Sequence, residues 1–112
     1  MKSDSIKRLY ELSNEGDFDG QRALLTENYR HHILGQGIDL DGADATIEAM
    51  RNMFAVMKMT WSSDRVEEHG PFAVSFSTGE IEGLPPFTAL NIYRFEGDLI
   101  AEGWVLSATP GE

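Results

Sequence analysis

The stretch Phe87-Thr88-Ala89-Leu90-Asn91-Ile92-Tyr93-Arg94-Phe95-Glu96-Gly97-Asp98-Leu99-Ile100-Ala101-Glu102-Gly103-Trp104 decides the fold. It alternates with a period of two, so it reads as two strands, Phe87 to Glu96 and Leu99 to Thr109. Glu96-Gly97-Asp98 joins them as a hairpin turn in which Gly97 is free to take positive φ. The first strand is apolar on both faces, with Phe87, Ala89, Tyr93 and Phe95 on one and Leu90 and Ile92 on the other. Such a strand suits a sheet with a core on one side and a partner subunit on the other. Asn91 stands in the first set, where an amide is costly unless it finds partners.

Upstream, Trp61 to Glu68 and Phe72 to Glu82 carry the same period, set off by His69-Gly70-Pro71 and Gly83-Leu84-Pro85-Pro86. Before Met59 the spacing is helical. Ser3 or Asp4 caps a first helix bearing Ile6, Leu9 and Tyr10, and Gly16 stops it. Asp17 or Asp19 caps a short second helix carrying Ala23, Leu24 and Leu25, with Phe18 placed as a hydrophobic staple. Tyr29 to Leu34 is short and extended, and residues 35–42 are rich in turn formers. Asp44 caps a third helix whose Ile47, Met50, Phe54 and Met57 make one apolar stripe. Helices followed by sequential strands predict a single α+β domain over residues 1–112, with a mainly antiparallel sheet.

The 112 residues hold nine basic and nineteen acidic side chains, a net charge of −10, with no cysteine. That surface repels phosphate backbones and anionic lipid, so nucleic acid and membrane are not expected partners. The absence of cysteine removes disulfides, thiolate metal sites and a thiol nucleophile. No apolar run reaches the length of a membrane helix and the N-terminus has no apolar signal core, so a cytoplasmic location is expected. Asp39-x-Asp41-Gly42-x-Asp44 lacks the ligand series of a calcium loop, and Gly35-x-Gly37 lacks the rest of a dinucleotide fingerprint. Neither a metal nor a cofactor is expected.

Asn14-Glu15-Gly16-Asp17-Phe18-Asp19-Gly20 with Ala23-Leu24-Leu25, Tyr29 three residues before His32, Gly42 ahead of the third helix, and the hairpin from Tyr93 to Trp104 form an ordered set. It resembles the SnoaL-like group of the NTF2-like superfamily over nearly the whole chain. The resemblance implies a cone: three N-terminal helices packed on a strongly curved sheet, with a pocket in its mouth and dimers through the outer sheet face. The superfamily includes polyketide cyclases, ketosteroid isomerases and small hydrolases, so fold alone does not settle activity.

His32 stands where related isomerases carry a proton-shuttling aspartate, and an imidazole titrates in the right range for general acid or base work. His31 and His32 point to opposite faces of a strand. The Tyr29-to-His32 spacing selects His32 for the pocket. Asn91 stands where those isomerases carry an acid that donates to the substrate oxygen, a role its amide can share as an oxyanion donor. Met50, Met53, Phe54, Met57, Trp61 and Trp104 are the candidate apolar lining, though each serves equally as gap-filling core. Tyr10 lies one residue out of register with the isomerases' tyrosine. Ala108 stands where the cyclases carry a carboxylate after the last tryptophan, and the hydrolases' Asp-Arg-Asp set is not recognisable.

The expected function is binding of a small hydrophobic, carbonyl-bearing molecule. The alternatives are an isomerase or polyketide-cyclase-type enzyme using His32, and a dimeric interaction module with a vestigial pocket.

Overall fold

The computed structural model describes residues 2–107. Its elements follow in the order α1 (Lys2–Glu15), α2 (Phe18–Arg22), β1 (Leu25–Ile33), β2 (Ile38–Asp41), α3 (Ala43–Met57), β3 (Met59–His69), β4 (Phe72–Ile81), β5 (Phe87–Glu96) and β6 (Leu99–Ser107). The six strands form one curved, open sheet in the order β2-β1-β6-β5-β4-β3. β1 runs parallel to β6, and every other neighbouring pair is antiparallel. The α+β class with a mainly antiparallel sheet is what the sequence indicates. The last strand is followed as far as Ser107, and Ala108 and Thr109 lie outside the described residues.

The three helices are not all N-terminal, because β1 and β2 precede α3. Residues 35–42, expected as turns, contain a strand that pairs back on β1 from Ile33↔Ile38 to Arg30↔Asp41. Gly35 and Gly37 make this hairpin possible, at φ 87° and 68°, where a side chain is strained. Leu25, expected on the second helix, opens β1 instead. α2 ends at Arg22 after a single capped turn, with Asp17 Oδ1 accepting from the Gly20 amide at 2.9 Å. Asp44 lies inside the first turn of α3 and pairs with Arg22 at 2.8 Å, while Gly42 takes the cap position.

Charge fixes the register where apolar patterning is weak. One outward row runs Arg94, Glu102, Arg30, Asp41 across β5, β6, β1 and β2, with N···O distances of 3.3, 3.5 and 3.6 Å. Each pair contributes little to stability. Together they oppose a one-residue slip of any one strand, which would turn its member of the row to the other face.

The core lies between the concave face of the sheet and the helices, around Ile6, Leu9, Phe18, Ile47, Tyr93 and Ile100. α1 is fastened to β3 by Asn14, whose Nδ2 donates to the Trp61 carbonyl at 2.7 Å while its Oδ1 accepts the Trp61 amide at 2.8 Å. That side chain occupies backbone groups on an edge strand that would otherwise template another chain. Among the described residues no helix is long and apolar enough to cross a membrane.

Opposite Phe87, Gly79 leaves room for the phenyl ring to lie across β4 and meet Trp61 edge-on at 5.5 Å. A Cβ on Gly79 would fall 2.5–3.0 Å from three atoms of that ring. Gly79→Ala is therefore expected to cost about 1–3 kcal/mol through overpacking, read as a lower urea midpoint with an unchanged slope.

Candidate functional site

A cavity of about 180 Å³ lies between the concave sheet face and α3. Met50, Met53, Phe54 and Met57 of α3 form one wall, and Trp61 and Phe87 close another. The apolar stripe of α3 thus faces the cavity, with Ile47 buried and the methionines half-buried or exposed. Among the described residues no carboxylate, ammonium or guanidinium lines it. Polar character comes from His31, Tyr29, Asn91, Tyr93, Tyr10 and a few neutral neighbours.

The cavity-facing histidine is His31, and His32 lies on the opposite face of the sheet. The reason is strand parity: residues two apart share a face and residues three apart do not. The Tyr29-to-His32 spacing therefore excludes what it was read to support, and Tyr29 and His31 are the pair that turn inward together. Their rings stack at 5.9 Å between centroids, and the Tyr29 hydroxyl meets His31 Nδ1 at 2.8 Å. Gly103, beside His31 in the parallel ladder, makes room for them. A Cβ there would collide with the Tyr29 hydroxyl and lie 3.2 Å from His31 Nδ1. Burial pushes the His31 imidazole down to about 4, with a smaller contribution from the charge of His32. It pushes the phenols of Tyr29, Tyr10 and Tyr93 upward. All four rings are neutral near pH 7.

Trp104 is also on the convex face, stacked on His32 at 5.6 Å, because Gly103 and Val105 take the inward positions of β6. His32 Nδ1 binds Asp39 at 2.5 Å and its Nε2 binds Glu102 at 2.7 Å. The hydrogen bond to Asp39 is the main cause that raises the His32 pKa. Burial opposes it, and Glu102 adds to the rise. Both nitrogens are engaged by structural partners on the wrong side of the sheet for the cavity.

Asn91 does line the cavity, 3 % exposed. Its Nδ2 donates to the Tyr93 hydroxyl at 3.2 Å, while its Oδ1 is buried and finds no donor among the described residues. Tyr93 begins a chain of hydroxyls: Tyr10 at 3.1 Å, then Ser77 at 3.2 Å, Ser75 at 2.8 Å and Ser63 at 2.9 Å. Tyr10, set aside in the sequence for its register, lines the cavity, and Ser75 and Ser77 were not among the sequence candidates. The signal for the serines was present, since Ala73, Ser75, Ser77 and Gly79 alternate as small residues on the inward face of β4. The carboxylate position of the cyclases, Ala108, and the C-terminal Glu112 lie outside the described residues.

A family model, the SnoaL-like domain, matches residues 6–103. No curated protein sequence matches the chain. Among solved structures, IdmH of Streptomyces antibioticus, a proposed polyketide cyclase, is similar at 23% identity, with a TM-score of 0.81 over 96% of this chain and 91% of that one. An NTF2-like protein of unknown function from Cytophaga hutchinsonii is similar at 17% identity and a TM-score of 0.82, over 96% and 90% of the two chains. A protein with a ketosteroid isomerase-like fold from Catenulispora acidiphila, solved with trimethylamine, gives 12% and 0.80, over 95% and 86%. At such identities the likeness is one of fold.

The two histidines give opposite pH dependences. His31 is held at about 4 against an ordinary 6.5. Its neutral form is therefore unopposed above 6.5. As pH falls below that value the unfolded chain binds a proton that the folded chain refuses, with a loss of on the order of 3 kcal/mol by the time pH reaches the folded value. The raised pKa of His32 gives a contribution that is complete below 6.5 and lost as pH rises through its folded value. His31→Gln is expected to lose less stability than the wild type between about pH 7.5 and about pH 4.5, measured by urea denaturation. His32→Gln is expected to lose more over the same interval.

Proposed function

The chain belongs to the SnoaL-like domain family, of NTF2-like fold, and from that premise we propose that it binds a small, neutral, largely apolar molecule in the cavity beneath α3. One observation carries this reading: an apolar cavity of about 180 Å³ whose polar groups are few and uncharged. Sites that recognise small molecules have this make-up, with hydrophobic walls and a small number of placed hydrogen-bonding groups. The methionines of α3 suit the role because their unbranched side chains adapt to irregular apolar shapes.

Binding is favoured over proton transfer. An imidazole at about 4 is a weak base at neutral pH, far from the matched value that general catalysis calls for. His32, the general acid/base of the enzymatic alternative, has no access to the cavity and both its nitrogens are occupied. The likeness to IdmH supports the fold, and among the described residues no carboxylate lines this cavity to carry the cyclase activity proposed for that protein. The open space under α3 also argues against a vestigial, filled pocket.

The convex face fits a second copy of the chain. Two cross-strand rows there are apolar and only half-covered: Val74, Ile92 and Trp104, then Phe76, Leu90 and Leu106. Leu106 is 52% exposed, and a contiguous patch of this kind marks an association surface.

Calorimetry or dye displacement with small neutral aromatic ketones is expected to show saturable binding. Met53→Trp, which fills the cavity from a half-buried position on α3, is expected to weaken it at least tenfold with the circular dichroism unchanged. Absence of binding, or equal binding by Met53→Trp, would reject the reading. Size-exclusion chromatography with light scattering is expected to give a dimer for the wild type and a monomer for Ile92→Lys. A wild-type monomer at high concentration would remove the second copy.

A further inference from the structure

Tyr29 and His31 do more than fill the cavity wall. Tyr29 is buried, and its hydroxyl has one partner among the described residues, His31 Nδ1 at 2.8 Å. A buried hydroxyl proton needs an acceptor, and an imidazole nitrogen that accepts carries no hydrogen. Tyr29 therefore donates to Nδ1, which places the hydrogen of the neutral ring on Nε2.

Nε2 opens on the cavity. It lies at the end of the ring farther from the backbone, and it has no partner among the described residues. Were it enclosed by protein it would be a second orphaned polar atom. Among the described residues, however, Asn91 Oδ1 is the one side-chain nitrogen or oxygen both enclosed and unpartnered. The space that Nε2 meets is the cavity that the buried His31 ring lines.

This donor is held in place before any ligand arrives. The Tyr29 hydrogen bond and the stacked Tyr29 ring fix the imidazole in the gap that Gly103 leaves. A group ordered in advance loses little freedom on binding. The other buried polar groups of the lining have protein acceptors. Ser13 donates to the Tyr10 carbonyl, Gln21 to the Leu9 carbonyl, Thr46 to the Gly42 carbonyl and Asn91 to the Tyr93 hydroxyl. Tyr93 and Tyr10 pass their protons along the hydroxyl chain. His31 Nε2–H stands out as a donor with no acceptor in the protein.

A cavity of about 150 Å³ accepts benzene, so about 180 Å³ accommodates one ring with a small substituent. We infer that His31 Nε2–H is the specificity-determining donor of this cavity, and that it selects an uncharged single-ring molecule bearing a hydrogen-bond acceptor, such as an aryl ketone. This rests on the binding reading above and narrows it. It gives to His31 the orienting role that sequence position suggests for His32.

The test compares acetophenone with isopropenylbenzene, which has nearly the same shape and carries C=CH₂ in place of C=O. A hydrocarbon in the cavity leaves the Nε2–H unpaired, whereas a ketone oxygen pairs with it. By dye displacement at neutral pH, wild type is expected to bind the ketone at least tenfold more tightly. His31→Phe is expected to lose that preference by weakening the ketone alone. His32→Gln, altered on the convex face, is expected to keep it. Nitrogen-15 NMR of the wild type is expected to show His31 protonated on Nε2 and not on Nδ1, with the Nε2 proton shifted by the ketone and unmoved by the hydrocarbon. Equal binding of the two by wild type, a preference that survives His31→Phe or disappears in His32→Gln, or a hydrogen on Nδ1 would overturn the inference while leaving cavity binding intact. Should His31→Phe fail to fold, the wild-type comparison and the nitrogen spectrum decide. If neither aromatic binds, the broader reading falls and this one with it.

Discussion

The arrangement of this molecule depends on the parallel pairing of β1 with β6. It is the one parallel contact in an otherwise antiparallel sheet, and it joins the chain's first strand to its last described one. The pairing sets His31 beside Gly103, and the missing side chain of that glycine is what lets Tyr29 and His31 lie together on the concave face. The same register sends Arg30 to Glu102 and His32 to Trp104 on the convex face. One alignment therefore divides the polar residues of β1 into an uncharged pair under the helices and a charged set outside. A one-residue slip of β1 would turn Arg30 and His32 inward and send His31 out.

What could be read from the sequence follows from where apolar residues mark a period. β3 to β6 and α3 show theirs openly, and their limits in the structure fall within a few residues of those expected. β1 does not, since Thr26, Glu27, Asn28, Arg30, His31 and His32 supply neither an apolar alternation nor a helical stripe. Its register comes from ion pairs and from a glycine on a strand distant in sequence, and neither appears in a local window. β2 was obscured for a related reason, as a four-residue strand whose aspartates and flanking glycines also describe turns. Periodicity marked Ile47, Met50, Phe54 and Met57 of α3, while Trp61 and Asn91 were picked out through the family resemblance. His32 was misplaced because the family-like spacing was weighed above strand parity, the stricter physical rule, and Trp104 because a large aromatic was assigned to the lining without regard to that parity. Tyr10 and the serines of β4 were legible only as small or polar interruptions of an inward face, without the third dimension that links them.

The charge distribution follows the same division. The chain's net charge is −10, yet among the described residues no ionised side chain lines the cavity. Asp39, Asp41 and Glu102 of β2 and β6 face outward, where cations and His32 meet them. Glu102 shows the balance there. Burial alone would raise its pKa, but the hydrogen bond from His32 and the nearby Arg30 and Arg94 hold it below the ordinary value. A charge on the concave side would have no comparable partners and would bear most of its desolvation cost.

This bears on how the hydroxyl chain from Asn91 to Ser63 should be understood. A line of five hydroxyls that ends at a half-buried serine looks like a route for protons out of the cavity. Moving a proton along it would require Tyr10 or Tyr93 to pass through a charged state, and burial penalises that state at both. The chain is better suited to orientation. Each hydroxyl gives its proton to the next, so the chain polarises in one sense and holds the Asn91 amide in a single orientation. Its satisfied members make Asn91 Oδ1 the one buried side-chain acceptor left unpaired among the described residues. Five hydroxyls thus hold one buried amide in place beside an uncharged cavity.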